Sequence, residues 1–464
     1  MATIAENLSI LSAHLEDAYT AGANKGATIP AEHRAANLSA MIDSIPTPVP
    51  DVLGEISFLD ADGHVLSSMT KAEALALTAL PPLPPTRVDG LQHFGWNCAN
   101  LEEFKKQAAT GKAIVGVLAS YALDHTEVDI KTTRGLNSPT SMTMYLQATS
   151  FDDEGTISVD WGDGTAIDSF ELGAGSSEVK FVEHQYQDVD EEYTIKIYSE
   201  PTKHFLFKSV SGPIISTDPT TSTVFTDRYK VKRVRLGSNC HMTGVNMVAS
   251  KAAFAGCSSM EEFDFGTNGH VVQYYMLYRC TSLKHVYGTA WKNGGSAEMD
   301  IYSFNWCNKL EYLCIPQNCV NGYLLQYCAS LKRVSIYVDG NCYNIKHYAF
   351  ARGSCLEDIA IPYNCTSIGG SAFLQCSGNI TTSASTGTFA GKEIIIPANC
   401  VLESATNTFE HTGVKSIKSL AADGSLRVEG DPINLFRYCY QLEKCPMPVD
   451  SNGNLTSSSS VYLF

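Results

Sequence analysis

Fifteen cysteines, twelve histidines and several adjacent carboxylates are the side chains of this 464-residue sequence able to do chemistry beyond packing. Only Cys98 precedes residue 240. A zinc site needs closely paired cysteines with matching Cys or His partners, and no C-x-x-C pair with His partners occurs. An odd cysteine count, behind an amino terminus that reads "MATIAENLSILSAHLEDAY" rather than a basic-then-apolar leader, argues against a disulfide framework. Asp152-Asp153 and Glu191-Glu192 are carboxylate pairs of the type that cleaves glycans when a fold converges them, but both fall in expected turns or strand starts. Asp60 and Asp62 lack the further carboxylates and closing Glu of a calcium loop. No G-x-S-x-G, Walker A, H-E-x-x-H or strand-following G-x-G-x-x-G occurs. The expectation is a protein that is not an enzyme and uses no metal or cofactor.

The cysteines mark a repeated phrase instead. With Phe304 at position zero, Cys307 is +3, Leu310 is +6, Leu313 is +9 and Ile315 is +11. The same register fits Phe254, Cys257, Met260, Phe263 and Phe265; Leu277, Cys280, Leu283 and Val286; and Leu325, Cys328, Leu331, Val334 and Ile336. It fits Phe436, Cys439 and Leu442, with Cys445 at +9. Phe225 opens the earliest copy, with Arg228 in the cysteine slot. Phe350, Phe373 and Phe409 open looser copies, and another is expected near Phe389 with Ile394 and Ile396. Asn239-Cys240, Asn318-Cys319, Asn341-Cys342, Asn364-Cys365 and Asn399-Cys400 form a second series.

Apolar residues at +9 and +11 share one face of a short strand, and Pro316, Pro362 and Pro397 end that strand at +12 or its equivalent. One coil cannot bury its apolar face alone; stacked coils bury a continuous core. Nine or ten strands ~4.8 Å apart make a body of roughly 45 Å. The cysteines then become a ladder of small, weakly donating side chains in equivalent slots.

The phrase Cys-x-x-Leu-x-x-(Val/Ile)-x-Ile-Pro, clearest in "YAFARGSCLEDIAIPYNC" and "SAFLQC", resembles the BspA-type leucine-rich repeat family over about 225–445. The resemblance implies a solenoid, commonly adhesive or ligand-binding and surface-exposed. "TISVDWGDGT", then His184-x-Tyr186 and "EEYTIKIY", resembles the polycystic kidney disease (PKD) domain and implies an immunoglobulin-like sandwich used as a spacer or interaction module. "AYTAGANKGATIPAEHRAANLSAMIDSI" resembles amino-terminal segments of phage tail-fibre and other structural proteins.

The chain is therefore expected to be multidomain and β-rich. Residues 1–48 read as a helical docking or oligomerisation segment, 49–122 as a small α+β module, 123–202 as a PKD-like β-sandwich, and 203–464 as a leucine-rich repeat solenoid with a carboxy-terminal cap. Within the module, "EISFLDADGHVL" reads as a β-hairpin, and Thr70 and "NLEEFKKQAATG" mark two helices.

Residues 1–224 carry 13 Lys and Arg against 31 Asp and Glu, and residues 225–464 carry 20 against 18. The acidic front half argues against nucleic acid as a partner, and no apolar run is long enough to span a membrane. Solenoid positions +7, +8 and +10 vary while the core stays fixed, so Lys284, His285, Tyr287, Tyr312, Lys332, Arg333 and Ser335, with Tyr337 from the aromatics of the middle coils, are the candidate ligand-binding residues. The middle coils are also rich in Tyr and Trp, which suit glycan or protein contact or else pack in the turns. The functional expectation is a phage virion protein of tail-fibre or receptor-binding type. It would dock on other virion proteins through its amino-terminal part and bind a host-surface glycan or protein through the solenoid, with a homo-oligomer, including a trimer, in view. The alternatives are a capsid decoration or structural virion protein, and a bacterial leucine-rich repeat interaction or adhesion protein in the cytoplasm or at the cell surface by a non-classical route.

Overall fold

The computed structural model describes residues 51–133, 140–148, 155–172, 179–200, 202–207, 227–242, 252–272, 274–293, 302–315, 320–341, 343–353, 355–375, 391–430 and 432–456, with isolated positions at 15, 19, 33, 34, 37 and 389. The helical segment expected over 1–48, and with it the tail-fibre-like stretch, lies outside the described residues apart from those isolated positions.

The first described unit is a four-stranded α+β module. Strands β1 (Ile56–Leu59) and β2 (Val65–Met69) form the hairpin read from the sequence, turned at Asp60–Gly63. Helix α1 (Lys71–Ala76) starts at Thr70, whose side chain accepts from the Glu73 amide while Glu73 accepts from the Thr70 amide. This reciprocal cap satisfies two amide donors that an isolated helix start leaves open. Strand β3 (Gln92–Trp96), helix α2 (Leu101–Ala109, capped by Asn100) and strand β4 (Ala113–Ser120) follow. The sheet order is β2-β1-β4-β3, with β1 and β4 parallel.

Next come seven strands: β5 (Thr126–Lys131), β6 (Ser141–Ala148), β7 (Gly155–Asp160), β8 (Asp168–Leu172), β9 (Lys180–Gln185), β10 (Glu192–Ser199) and β11 (Phe205–Phe207). They form two antiparallel arrays, β5-β10-β7-β8 and β11-β6-β9, whose apolar residues share one core. Trp161 is buried, and its indole N–H donates to Asp168. Asp163 accepts from Thr165 and pairs with His184 at 2.7 Å, and His184 stacks on Trp161. The Trp-Gly-Asp-Gly turn is thus held by its own side chains.

The solenoid grows directly out of this unit. Strand β12 (Val231–Arg235) pairs antiparallel with β5 on one side and parallel with β13 (Glu262–Asp264) on the other. One seven-stranded sheet therefore runs from the antiparallel array into the first coils. The joint covers the first strand edge of the solenoid, which would otherwise offer unpaired backbone groups to other chains. Coil strands at 285–287, 312–315, 333–336, 393–396 and 416–419 continue the parallel arrangement. A second parallel ladder runs through 343–345, 365–369, 401–403, 426–429 and 448–449.

Each coil repeats the same contacts because each coil places the same residue type in the same slot. The thiols of Cys280, Cys307, Cys328 and Cys439 donate to the carbonyls of Phe254, Leu277, Phe304 and Phe409, the position-zero residues one coil earlier. Thr412 fills the cysteine slot of its coil and donates to Phe409. Cys365 and Cys400 of the Asn-Cys series meet at 3.9 Å on the second ladder. Burial pushes the Cys328 thiol up to about 12, which suits a structural role. Phe350, Phe373, Phe409 and Phe436 stack at 5.4–5.8 Å.

One expectation needs correction. Phe389 does not open a separate coil. The Phe373 amide bonds Thr408 of the neighbouring turn, and strand 393–396 pairs with 416–419 of that same neighbour. Phe373 therefore supplies the turn, and Ile394 with Ile396 the strand, of one long coil, with residues 376–388 between them.

Replacing Phe373 by Ala removes the middle of the ring stack and leaves a cavity, so a denaturant melt should show a loss of about 3–5 kcal/mol. Thiol labelling of the native protein, read by peptide mapping, should modify exposed Cys355 well before buried Cys257, Cys280, Cys307 and Cys328.

Candidate functional site

Strand β4 positions the first candidate surface. Its sequence, "AIVGVLAS", is almost continuously apolar, the pattern of a strand covered on both faces. Ala113, Val115, Val117 and Ala119 face the module core with Phe58, Trp96 and Phe104. Ile114 and Leu118 lie with Tyr312 and Cys314 in a separate cluster. Alternation along the strand therefore turns the even-numbered residues onto the solenoid.

Eight residues at ~3.3 Å each reach roughly 26 Å, enough to cross five coil strands ~4.8 Å apart. The contacts follow in that order. Ser120 donates to Asp264, the Gly288 amide donates to Ala119, the Gly116 amide donates to the Ser335 hydroxyl, and Lys112 pairs with Asp358 at 2.7 Å. Asn97 donates to the Ser335 hydroxyl and carbonyl, and Gln107 donates to the Ile361 carbonyl. The module lies across the outward face of the solenoid strands.

That face is where the sequence placed the ligand-binding residues. Tyr287, Tyr312, Arg333 and Ser335 are all buried, 0–6% exposed, under the chain's own residues 51–121. Tyr287 donates to Asp62 at 2.7 Å, and His285 pairs with Asp62 at 3.0 Å. The Arg333 guanidinium is held by the Asp51 carboxylate and carbonyl, the Gly63 carbonyl and Glu357. Tyr312 fits because Gly63 and Gly116 have no side chain. A Cβ at Gly63 would lie 2.5 Å from the Tyr312 ring, and one at Gly116 would overlap its hydroxyl. These four side chains hold the module in place and are closed to an outside ligand in this structure. Tyr337 is half-buried beside the Cys98–Val338 bridge. Lys284 and Lys332 are exposed at the +7 edge, where they pair with Glu261 at 2.7 Å and Glu311 at 2.6 Å. The coil-to-coil alternation of charge sign thus closes into pairs between neighbouring coils, each contributing at most ~1 kcal/mol.

The electrostatics of the covered face are concentrated at Asp62. Burial opposes its charge, but the bonds from His285 and Tyr287 and the Arg87 guanidinium outweigh it and hold the carboxyl down to about 2. His285 is raised in return, chiefly by its bond to Asp62. Burial lifts the Asp264 carboxyl to about 6 despite hydrogen bonds from Tyr121, Gly266 and Ser120.

The second surface lies on the turns. Each coil from Leu277 to Phe350 places two residues in the left-handed backbone region, at −2 and +2 from position zero. The −2 row is Tyr275, Tyr302, Tyr323 and Tyr348, with φ of 53–57°. The +2 row is Arg279, Trp306, Tyr327 and Arg352, with φ of 57–66°. The four tyrosines stack in sequence at 5.0, 4.5 and 4.8 Å, and Trp306 stacks on Tyr327 at 4.3 Å. Arg352 lies over the Tyr327 ring at 4.9 Å. On the flanking coils the equivalent positions are Ala252 and Gly256 on one side and Ser371 and Gln375 on the other. The unbroken double row of Tyr, Trp and Arg therefore spans four coils, and an aromatic pair returns at +2 farther along, where His411 and Tyr438 stack at 4.2 Å with φ of 58° and 62°.

A left-handed backbone costs a non-glycine residue roughly 1–2 kcal/mol. Gly256, Asn407 and Asn434 show that the same turns accept the residues best suited to it. Aromatic stacking returns ~0.5–1.5 kcal/mol per pair. Tyr, Trp and Arg are thus kept in eight strained positions with little net gain in stability. The sequence marked these aromatics as contact or packing residues; their double-row arrangement was not readable until the −2 and +2 register was known.

Residues 221–293 and 248–381 match the model of the BspA type leucine rich repeat region, in six copies. The coils within 221–381 match that repeat type. A leucine rich cell surface protein from Faecalibacterium prausnitzii is similar at 14% identity over 55% of this chain and 94% of its own, with a TM-score of 0.24. A leucine-rich repeat protein from Eubacterium ventriosum is similar at 13% identity over 53% and 80%, with a TM-score of 0.23. No curated protein matches the chain. Among the described residues, no helix is long and apolar enough to cross a membrane, and no cluster of His, Cys, Asp and Glu is arranged to hold a metal ion.

Gly116→Ala forces the Tyr312 hydroxyl aside and should cost about 1–3 kcal/mol; combining it with Tyr312→Ala should recover part of that loss in a double-mutant cycle. Because the Asp62 carboxyl is depressed in the folded chain, its contribution is present above the ordinary carboxylate range near 4 and is lost as pH falls toward about 2. The stability gap between the protein and Asp62→Asn should therefore be largest above about pH 4 while His285 is protonated, shrink below that as Asp62 protonates, and lose the His285 share as pH rises through the raised histidine range, in pH-resolved denaturant melts.

Proposed function

We propose that the chain is a non-enzymatic recognition protein, a bacterial leucine-rich repeat interaction or adhesion protein that meets its partner through the turn side of the solenoid. The carrying observation is the bounded double row of Tyr, Trp and Arg, kept in a strained backbone while the strand face is filled from within. These three residue types dominate the energetics of protein interfaces, and they fill turn positions that other coils give to Ala252, Gly256, Ser371 and Gln375 in the same left-handed backbone. The α+β module fixes the strand face, and the β5–β11 unit is a PKD-like, immunoglobulin-like spacer continuous with the first coils. The Trp161–His184–Asp163 arrangement supports that assignment. Presentation at a cell surface, and self-association through the amino-terminal segment, belong to the same proposal.

A second reading keeps the recognition surface and changes the carrier. In it the amino-terminal segment docks the chain on a phage particle as a tail-fibre or decoration protein, and the turn-side rows meet a host-surface glycan or protein. It is favoured by the tail-fibre-like sequence of residues 18–45 alone.

Labelled full-length protein should bind saturably to at least one class of intact cell in a panel of Gram-positive bacteria, Gram-negative bacteria and epithelial cells. Trp306→Ala with Tyr323→Asn should weaken that binding about tenfold or more, equivalent to ~1.4 kcal/mol, with the fold retained by circular dichroism. Equal binding by protein and variant contradicts the reading.

A further inference from the structure

The charge of the turn-side rows says what they bind. The segments that build them, 274–282, 302–309, 322–330 and 347–353, contain Arg279, Lys309 and Arg352 and no Asp or Glu, in a chain of net charge −16. Arg279 and Arg352 are exposed, at the two ends of the +2 row. We infer that this patch binds a linear acidic polysaccharide, its carboxylates met by the two arginines and its hydroxyls by the tyrosine edges. The inference rests on the turn-side reading above and names the ligand class for it.

The stacking geometry favours an anion. An aromatic ring carries negative charge on its faces and positive charge at its edge. In the −2 row the faces are turned on each other at interplanar angles of 9–15°. The stack therefore hides its negative faces and leaves the partly exposed rings their edges. The same stacking closes the ring faces to nucleobases, which bind single strands by lying on such faces. A guanidinium at each end of the +2 row then adds a fork of donors matched to carboxylates.

The spacing favours a polymer. The two arginines sit three coil steps apart, ~14 Å at ~4.8 Å per step, and the rows between them are straight and evenly pitched. Two same-face steps of an extended acidic peptide, ~13.2–13.6 Å, also span the arginines, but its intervening side chain falls between the tyrosine rungs. A linear polysaccharide presents hydroxyls from every sugar and a carboxylate from each uronic acid, so it can engage successive rungs. The patch ends where Ala252 and Gly256, and Ser371 and Gln375, replace the aromatic and basic residues.

The test uses the full chain and three immobilised linear uronate polymers, hyaluronan, polygalacturonate and alginate, with neutral dextran and poly-glutamate as controls, in biolayer interferometry. The expected result is binding to at least one uronate polymer, none to dextran, and affinity that falls as NaCl rises from about 50 to about 500 mM, where screening shortens from roughly 14 to 4 Å. Arg279→Gln with Arg352→Gln should weaken binding about tenfold or more, and Tyr302→Asn with Tyr323→Asn should weaken it at an unchanged or higher melting temperature. No binding to any of the three polymers, or binding indifferent to the arginine pair, overturns the inference. Tighter binding to poly-glutamate than to the polymers also overturns it, in favour of an acidic protein segment. Cell binding that needs Trp306 but ignores salt and both arginines leaves the recognition reading standing and removes the polysaccharide; cell binding that ignores Trp306 as well removes both.

Discussion

A strand buried on both faces is the constraint on which the rest of this molecule depends. Strand β4 has no polar face to give to water, since its odd-numbered residues close the module core and its even-numbered residues meet the solenoid. The solenoid, in turn, must present Tyr312 exactly opposite Gly116 in register terms, and a buried Ser335 where the Gly116 amide needs an acceptor. Buried charges at the same boundary are paired, Lys112 with Asp358 and Arg333 with Asp51 and Glu357. Removing one partner of such a pair leaves a charge without water or counter-ion, at a typical cost of ~3–5 kcal/mol. The strand face of the repeats is thereby a structural interface filled from within the chain.

The parallel pitch gives every slot a neighbour of its own kind one coil away. Thiols donate to the carbonyls of the coil before, phenylalanines stack, and the +7 charges alternate in sign so that neighbours attract. Such ladders lower the cost of repetition, because one solution serves all coils. The turn-side rows depart from this logic. They use the pitch to stack rings, but they place Tyr, Trp and Arg where a left-handed backbone favours Gly or Asn, in both rows on four coils, with His411 and Tyr438 repeating the +2 row alone farther along.

The repeats, the cysteine ladder and the β1–β2 hairpin were legible because each rests on a local period or turn. Phe304, Cys307, Leu310 and Leu313 recur at fixed offsets, and Asp62-Gly63 sits between alternating residues. Thr70 and Glu73 announced their helix by a cap that needs only four residues. The docking of the module was not legible, because Asn97, Lys112 and Gly116 meet Ser335 and Asp358 more than 200 residues away with no period to mark them. The one available signal was "AIVGVLAS", whose continuous apolarity demands cover on both sides. Tyr287, Tyr312, Arg333 and Ser335 of the eight candidate ligand residues lie under the module, because which side of a solenoid is left open depends on what the remainder of the chain covers. Phe389 misled because it shares composition with a repeat start while lying within the coil that Phe373 opens.

Hydrogen–deuterium exchange of the free, full-length chain tests the closure of the strand face most directly. The account predicts that peptides covering 113–120 and 333–337 exchange slowly and together, at the rate set by global unfolding. Fast exchange across 113–120 while the coil strands stay protected would contradict it, because the module would then open and expose Tyr287, Tyr312, Arg333 and Ser335 to an outside ligand.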